Sequence, residues 1–362
     1  MQKKIIALAI AAAVSAPAFA DNSNVTVYGV ANVSYDMTNT GGVAGFSNNK
    51  VSSNTSRLGF KGNEDLGDGL SAIWQIESLI QIDGTAGAAG NGLATRNTFA
   101  GLSSATAGTV LLGRHDTPYN ISNRKYDLFT DTLADNRSIM GGGVKAAASF
   151  NGRQPNVVAY ISPAMSGFTG AIAYVAGAEG QTLSTQTKGN AWSLAALYGN
   201  GPISANFAYE AHNAGSAPGT LGLGAGLKET AWTISGGYKV EAFEVNGVYE
   251  KTSDNFAAGA NLNGHRAYYL SGKYNFGSNA VKLAYSNAGN TAAASTGASQ
   301  VTVGLDHSLS KRTTVYALYT QLSNNAGVAY GLSTNGTGAP AAGITGNGAK
   351  PSAFSFGMKH TF

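Results

Sequence analysis

Apolar and polar residues alternate along the stretch from Val25 to Met37. Apolar or small side chains occupy one set of alternate positions, namely Val25, Val27, Gly29, Ala31, Val33, Tyr35 and Met37. Thr26, Asn32, Ser34 and Asp36 fall on the other set. A period of two residues predicts a β-strand with one face in water. Its length of 13 residues suits a tilted strand that crosses a bilayer better than an ordinary globular strand.

The same period returns along the rest of the chain, for example over 70–77, 203–210, 243–250, 281–286 and 354–362. The connections between these segments alternate in length. The short ones lie at 67–69, 107–108, 164–167, 199–202, 240–242, 277–279 and 309–312. The long ones lie at 38–53, 83–94, 115–150, 177–189, 213–227, 253–264, 288–298 and 324–351. Seven short turns and eight long loops predict 16 strands with both chain ends on the short-turn side.

The polar face of these segments also carries charged residues, including Glu77, Glu210 and Lys282. A charged side chain that faced lipid would cost about 2–4 kcal/mol near the bilayer midplane, so these residues should face a watery interior. A β-sandwich would need both inward faces to be apolar, which this pattern does not provide. We therefore predict an all-β fold, a transmembrane antiparallel β-barrel with short periplasmic turns and long external loops.

The first 20 residues have the features of a cleaved export signal. Lys3 and Lys4 give a basic start, the apolar run from 5 to 14 is too short to span a bilayer, and 18–20 has a small-x-small cleavage pattern. The alternative is an amphipathic or buried N-terminal helix. We expect 1–20 to be a signal peptide and 21–362 to be the barrel.

Composition agrees with an exported barrel and excludes several other classes. The chain has 49 glycines, no cysteine and only 12% charged residues, and it contains no apolar run of the ~18 residues that a transmembrane helix needs. Without the two signal lysines the formal charge falls from +4 to +2, so nucleic acid is not indicated as a partner. The five histidines show no metal-ligand spacing, and no nucleotide or hydrolase motif is present, so we expect no cofactor, no metal and no catalytic site.

The 115–150 segment is the longest stretch without a strand pattern in the first half of the chain. It carries four acidic residues, Asp116, Asp127, Asp131 and Asp135, and four basic ones, Arg124, Lys125, Arg137 and Lys145. A loop of this length inside a compact protein is usually functional. We interpret it as the third external loop, folded into the lumen so that it narrows the channel.

Several sequence blocks resemble the Gram-negative general porins, especially the neisserial-type trimeric porins of β-proteobacteria. They are VTVYGV from Val25, SRLGFKGNEDLGDGLSAIWQIE from Ser56, RNTFAGL from Arg96, GTVLLGRHDTP from Gly108, NVVAYISPAMSGF from Asn156, LSKRTTVYALYT from Leu309 and the closing GMKHTF. The resemblance implies a trimeric 16-stranded barrel of the outer membrane, with a third external loop that forms the constriction.

In such porins, arginines on the barrel wall face acidic groups on the inward loop. The resemblance places Arg57, Arg96 and Arg153 on the wall, with Lys61 and Arg114 close by. By strand parity Arg57 and Lys61 lie opposite Leu58 and Phe60, and Arg96 lies opposite Asn97 and Phe99, so each can point inward. The sequence leaves open which of Asp116, Asp127, Asp131 and Asp135 reaches the pore, and whether 140–143 forms the loop tip.

The function that these features predict is a water-filled passive diffusion channel for ions and small hydrophilic solutes, with a mild anion preference. Its expected partners are outer-membrane lipid and lipopolysaccharide, two further copies in a homotrimer, and the outer-membrane assembly machinery, which would read the terminal Phe362. Two alternatives remain at this point. One is an adhesin or receptor that acts through its external loops, and the other is a barrel hydrolase with a Ser/His pair near His307.

Overall fold

The computed structural model describes residues 24–42, 47–84, 92–141, 150–177, 182–216, 226–254, 261–333 and 346–362. The predicted signal peptide, as well as Lys145 and the glycines at 142 and 143, lie outside these ranges. Among the residues described, no helix is long and apolar enough to cross a membrane.

The described chain forms one antiparallel sheet of seventeen strands. Their bounds are β1 Asn24–Asn39, β2 Ser47–Ser53, β3 Arg57–Gly67, β4 Leu70–Leu79, β5 Thr98–Ser104, β6 Gly108–Asp116, β7 Arg153–Ile161, β8 Phe168–Val175, β9 Asn190–Asn200, β10 Ile203–Asn213, β11 Lys228–Val240, β12 Phe243–Asp254, β13 Arg266–Phe276, β14 Asn279–Ala288, β15 Ala298–Ser308, β16 Thr313–Asn324 and β17 Ser352–Thr361. The predicted short turns and long connections fall between these strands in the expected alternation.

The sheet closes because β1 pairs with β17 on one edge and with β2 and β3 on the other. β2 and β3 are two halves of one crossing, interrupted at 54–56. There the Ser56 hydroxyl replaces the backbone ladder, since it accepts a hydrogen bond from Asn32 N and donates one to Asn32 O, both at 2.9 Å. The seventeen strands therefore make 16 crossings, and the predicted 16-stranded closed barrel is confirmed.

The two faces of the strands have opposite character, as the alternation predicts. In β1, Val25, Val27 and Tyr35 are exposed on the outside, whereas Ser34 and Asp36 are buried. A globular protein in water would reverse this arrangement. An outer apolar belt and an inner polar wall are what a barrel requires when it separates lipid from water.

The predicted bounds of two long connections are wrong. Most of the 38–53 loop is strand, and the connection between β1 and β2 is only 40–46. The insert predicted from His115 begins at Thr117, because His115 and Asp116 still pair with β7. Both errors have the same cause: polar residues that face a watery lumen look like loop residues in the sequence.

The insert contains a helix, Pro118–Arg124, and a 3-10 helix, Asn136–Ser138. Thr117 caps the first helix by accepting a hydrogen bond from Asn120 N, and a proline opens it, both of which favour helix initiation. Five almost fully buried large side chains of the insert belong to one cluster, and they are Tyr126, Phe129, Leu133, Ile139 and Met140. They pack against inward residues of β12 to β17, so the main hydrophobic core lies inside the barrel.

A second segment folds inward, which the sequence analysis did not predict. Val328, Tyr330 and Leu332 of the last long connection are buried in the same core. Ser333 N donates a hydrogen bond to Leu133 O at 3.1 Å, and the side chain of Asn324 bonds both the N–H and the carbonyl of Tyr330. The two segments together pack against the β12 to β17 side of the lumen, and a polar passage lies between the insert and the β3 to β7 side.

Candidate functional site

Two of the predicted wall arginines lie on either side of Glu77. Arg96 Nε is 2.6 Å from Glu77 Oε1, and Arg57 Nε is 3.8 Å from Oε2. The Tyr28 hydroxyl also donates a hydrogen bond to Oε2 at 3.0 Å. The position of Arg57 follows from pairing, since Gly59 lies opposite Glu77 across the β3–β4 ladder. Strand parity placed Glu77 on the inner face, but sequence analysis did not include it among the site residues.

An ion pair between Asp116 and Arg153 lies where β6 ends and β7 begins. Asp116 and Arg153 lie opposite each other in register, and Arg153 Nη2 is 2.9 Å from Asp116 Oδ1. Asn97 joins them, because its amide donates to Asp116 Oδ2 at 2.9 Å and its oxygen accepts from Arg153 Nε. The prediction that Asn97 points away from Arg96 is wrong, since β5 begins only at Thr98 and strand alternation does not apply before it.

Asp131 is the insert carboxylate that meets the arginine wall. Its Oδ2 is 3.2 Å from Arg57 Nη1, and its Oδ1 is 2.8 Å from Arg124 Nη2. Its carbonyl accepts a hydrogen bond from the Asn32 side chain at 3.0 Å. The residue has a φ of 60°, a left-handed conformation that is uncommon outside glycine. The arginines on both sides of the carboxylate and the bond to β1 hold it there.

Asp135 is buried within the insert and does not face the passage. It caps the 3-10 helix through Arg137 N and forms ion pairs with Arg124 at 3.1 Å and Arg137 at 3.2 Å. Burial opposes ionisation of this carboxyl, but the two arginines outweigh it and hold the pKa of Asp135 well below its usual range. It fixes Arg124, which also pairs with Asp131, and Arg137.

Asp127 points to the opposite wall. Its Oδ1 accepts a hydrogen bond from the Tyr269 hydroxyl at 3.0 Å, and its Oδ2 accepts one from Asn136 N at 2.9 Å. Burial and the nearby Asp135 raise the pKa of Asp127 to about 7. Of the four predicted carboxylates, Asp116 belongs to the wall, Asp135 to the interior of the insert and Asp127 to a separate cavity, so Asp131 is the one that joins the insert to the arginines.

These groups enclose a cavity of about 200 Å³ between the insert and the wall. Five arginines and two aspartates line it, together with Asn120, Thr130 and Asn151; the charged residues are Arg57, Arg96, Arg124, Arg137, Arg153, Asp116 and Asp131. Five positive and two negative groups leave a lining charge of +3. Glu77 and Asp135 stand directly behind the arginines, and including them reduces the balance to +1.

Arg124 and Arg137 were missed as lining residues by the sequence analysis, which counted them only toward the net charge of the insert. No local signal distinguishes them from a solvated charge. Their direction is set by Asp131 and Asp135, which are themselves positioned by the folding of the insert.

Two predicted wall residues lie outside this cavity. Arg114 lines a wider space of about 370 Å³ with Arg96 and Arg153, and its Nε donates a hydrogen bond to Thr95 O. Lys61 is exposed, with its ammonium 5.3 Å from the centre of the Tyr28 ring.

A third cavity of about 390 Å³ opens toward the short-turn end. Four basic residues line it, namely Lys282, Lys311, Arg312 and Lys359, with Asp127 and Asp306 as the acidic ones. Lys282 Nζ bridges Asp306 Oδ2 at 2.9 Å and Leu128 O at 3.2 Å, so it also ties the insert to β14. Positive groups thus continue along the lumen beyond the narrow cavity.

The histidine proposed for a hydrolase site lies elsewhere. His307 is exposed at the short-turn end of β15, and its Nδ1 bonds the side-chain oxygen of Asn279 at 2.8 Å. That partner is an amide oxygen, not the serine hydroxyl that a nucleophilic pair would require.

Comparison with known proteins agrees with the barrel fold. The family model described as Gram-negative porin matches residues 7–327. The outer membrane porin protein 32 of Delftia acidovorans is 31% identical over the whole of both chains. The major outer membrane protein P.IB of Neisseria lactamica is 26% identical, over 93% of this chain and 98% of its own. A solved structure of an anion-selective porin from Comamonas acidovorans has a TM-score of 0.77 and 27% identity, covering 94% of this chain and 100% of its own.

Proposed function

The chain belongs to the Gram-negative porin family, and on that premise we propose that the arginine-lined cavity beside Asp131 is the place where it selects among permeating solutes. The protein is a passive diffusion channel of the outer membrane. The insert, described over 117–141 and 150–152, acts in this proposal as the constriction.

The proposed selectivity is a mild preference for anions. The observation that carries it is the lining charge of the cavity, five arginines against two aspartates. The preference is mild because Glu77 and Asp135 offset part of this charge from behind. The similar porin from Comamonas acidovorans is described as anion-selective, which supports the same sign here.

Guanidinium groups suit this role because they stay ionised at any working pH. Each lining arginine is 16–27% exposed, so it is fixed by carboxylates on one side while it meets water on the other. A charge near a low-dielectric wall is screened less than one in bulk water. The resulting field attracts anions and orients polar solutes, and the paired carboxylates keep the arginines from holding any solute tightly.

We further propose how the protein reaches its site and assembles. Residues 1–20 are removed on export, the mature barrel forms a homotrimer in contact with lipopolysaccharide, and Phe362 is read by the assembly machinery. The last step is supported by the position of Phe362, whose backbone bonds Gly29 at 3.0 and 3.1 Å at the closing seam while its ring remains half exposed. We propose no catalytic role, in keeping with the family and with the surroundings of His307.

Planar-bilayer recording tests the channel and its selectivity together. The purified protein should give stepwise, ohmic conductance with neither ATP nor a coupling ion, and a KCl gradient should give a reversal potential that favours Cl⁻. A channel that prefers K⁺ would overturn the proposed selectivity. A folded preparation with no conductance would instead favour the adhesin or receptor alternative.

A further inference from the structure

A single buried carboxylate holds two separate parts of the inward insert. Glu250 lies on the inner face of β12, across the lumen from the arginine wall, and it is completely buried. Its Oε2 accepts hydrogen bonds from the Tyr119 hydroxyl at 2.7 Å and from Asn123 Nδ2 at 3.2 Å. Its Oε1 accepts one from Gly141 N at 2.8 Å. Tyr119 and Asn123 belong to the helix that begins the insert, whereas Gly141 follows its 3-10 helix.

Each of these contacts is strong for a physical reason. A buried carboxylate needs several hydrogen bonds to offset its lost hydration, and bonds to a charged acceptor are stronger than neutral ones. Tyr119 is also fully buried, and burial together with Glu250 raises the pKa of its hydroxyl well above the usual value. The hydroxyl therefore remains protonated and keeps donating. Neither the first helix nor the segment after the 3-10 helix can leave the wall without leaving this carboxylate short of donors.

The neighbouring charged groups do not duplicate this attachment. Glu210 and Glu229 hold His212 between them, with His212 Nε2 2.7 Å from Glu210 and Nδ1 2.6 Å from Glu229, and all three side chains are fully buried. His212 meets the far end of the insert by stacking on the Phe150 ring, with centres 4.6 Å apart. That contact is apolar. Tyr119 N also donates a hydrogen bond to Ser193 Oγ, and the Ser138 hydroxyl donates one to Gln300 Oε1, but each of these neutral contacts holds one part of the insert, whereas Glu250 bonds both parts.

We propose that Glu250 is the positioning residue of the constriction, because its carboxylate fixes the first helix of the insert and the segment after the 3-10 helix against the wall and so sets the width of the passage. This inference rests on the proposed function, in which the insert is the constriction. Asp131 positions the insert against the arginines, and Glu250 positions the first helix and the segment after the 3-10 helix from the opposite wall.

Glu250→Gln is the test variant because it keeps the size of the side chain but leaves one acceptor oxygen. Asn123 Nδ2 and Gly141 N can only donate, and they bond different oxygens, so at least one of these two contacts is lost. Losing one hydrogen bond to a buried charged group should raise the frequency of partial closures or subconductance steps about tenfold in single-channel records. Tyr119→Phe removes only the Tyr119 contact, leaves Asn123 on the same oxygen, and should give a smaller rise. Heat-modifiability on gels confirms that each variant forms a barrel.

Glu244→Gln is the matched control. Glu244 lies on the inner face of the same strand, its Oε1 accepts a hydrogen bond from Asn246, and the change removes the same charge. The control should leave current fluctuations as in the wild type. Equal fluctuations in the Glu250 and Glu244 variants would mean a general charge effect and would overturn the proposal, as would wild-type records from both Glu250→Gln and Tyr119→Phe. If Glu250→Gln does not fold, Tyr119→Phe decides the question alone.

The outcome is separable from that of the proposed function. If changes at the arginine cavity leave selectivity unmoved while Glu250→Gln still destabilises the current, the selectivity proposal fails and the positioning role stands. If selectivity responds to the arginines and the Glu250 variant records like the wild type, the positioning role fails alone.

Discussion

Replacing Arg57 with glutamine removes one positive charge from the narrow cavity and leaves no carboxylate there without a partner. Asp131 keeps Arg124 at 2.8 Å, and Glu77 keeps Arg96 at 2.6 Å. The lining charge falls from +3 to +2, while the fold of the insert retains its other attachments. Any change in selectivity then reports the field of that one guanidinium.

The expected magnitude follows from Coulomb's law. An ion that passes about 5 Å from the guanidinium gains or loses about 0.8 kcal/mol in a water-like dielectric. Since 1.4 kcal/mol is tenfold in an equilibrium constant, the local concentration of each ion changes about fourfold, in opposite directions for Cl⁻ and K⁺. The Cl⁻/K⁺ permeability ratio of Arg57→Gln should therefore fall on the order of tenfold at low salt. At 1 M salt the effect should shrink, because the Debye length falls to about 3 Å.

Lys61→Gln provides the control on the same strand. It removes the same charge on the same face, but four residues of strand separate it from Arg57 by about 13 Å, which exceeds the Debye length of about 10 Å at 0.1 M salt. Its ammonium also lies over the Tyr28 ring, outside the cavity. Reversal potentials in a KCl gradient at about 0.1 M measure both variants. If Arg57→Gln, alone or together with Arg96→Ala, leaves the reversal potential unmoved, or if Lys61→Gln moves it equally, the cavity does not set the field of the pore.

Three further predictions concern assembly, pH and packing. Deleting Phe362 should leave unassembled precursor in the periplasm, because the residue closes the seam with Gly29. Phe362→Ala keeps the backbone pairing, so it separates the effect of the aromatic ring from that of closing the seam. Normal amounts of heat-modifiable barrel from the deletion variant would contradict a role of Phe362 in assembly. Because the pKa of Asp127 is raised to about 7, the carboxyl is neutral below that pH and charged above it, so the Cl⁻/K⁺ ratio should rise as the pH falls from about 8 to about 6. Asp127→Asn should remove this dependence, and an unchanged pH profile in that variant would refute the assignment. Tyr330→Ala should destabilise the barrel by about 3–5 kcal/mol, as other large-to-small core changes do, and lower the temperature at which it unfolds on gels. Tyr35→Ala, on the exposed outer face, should not lower that temperature. Equal shifts in unfolding temperature for the two variants would show that the second inward segment does not stabilise the core.

The barrel could be predicted from the sequence because its determinants are local. Each strand has one face in lipid and one in water, so the period of two is visible in β1 alone, and the alternation of short turns with long connections gives the strand number. The same parity correctly places Arg57 opposite Leu58 on β3. The rule stops at strand ends, which is why it misdirected Asn97, only one residue before β5.

The choice of contacts inside the lumen was decided by the tertiary structure. Asp127, Asp131 and Asp135 are equivalent in the sequence, and Asp131 alone of the three meets Arg57 because the core of the insert orients it that way. The same holds for Glu250, whose partners precede it by more than 100 residues, and for the packing of Tyr330 near the insert. Closing the barrel brings such distant residues together, and the pattern of residues along the sequence does not indicate which of them will be in contact.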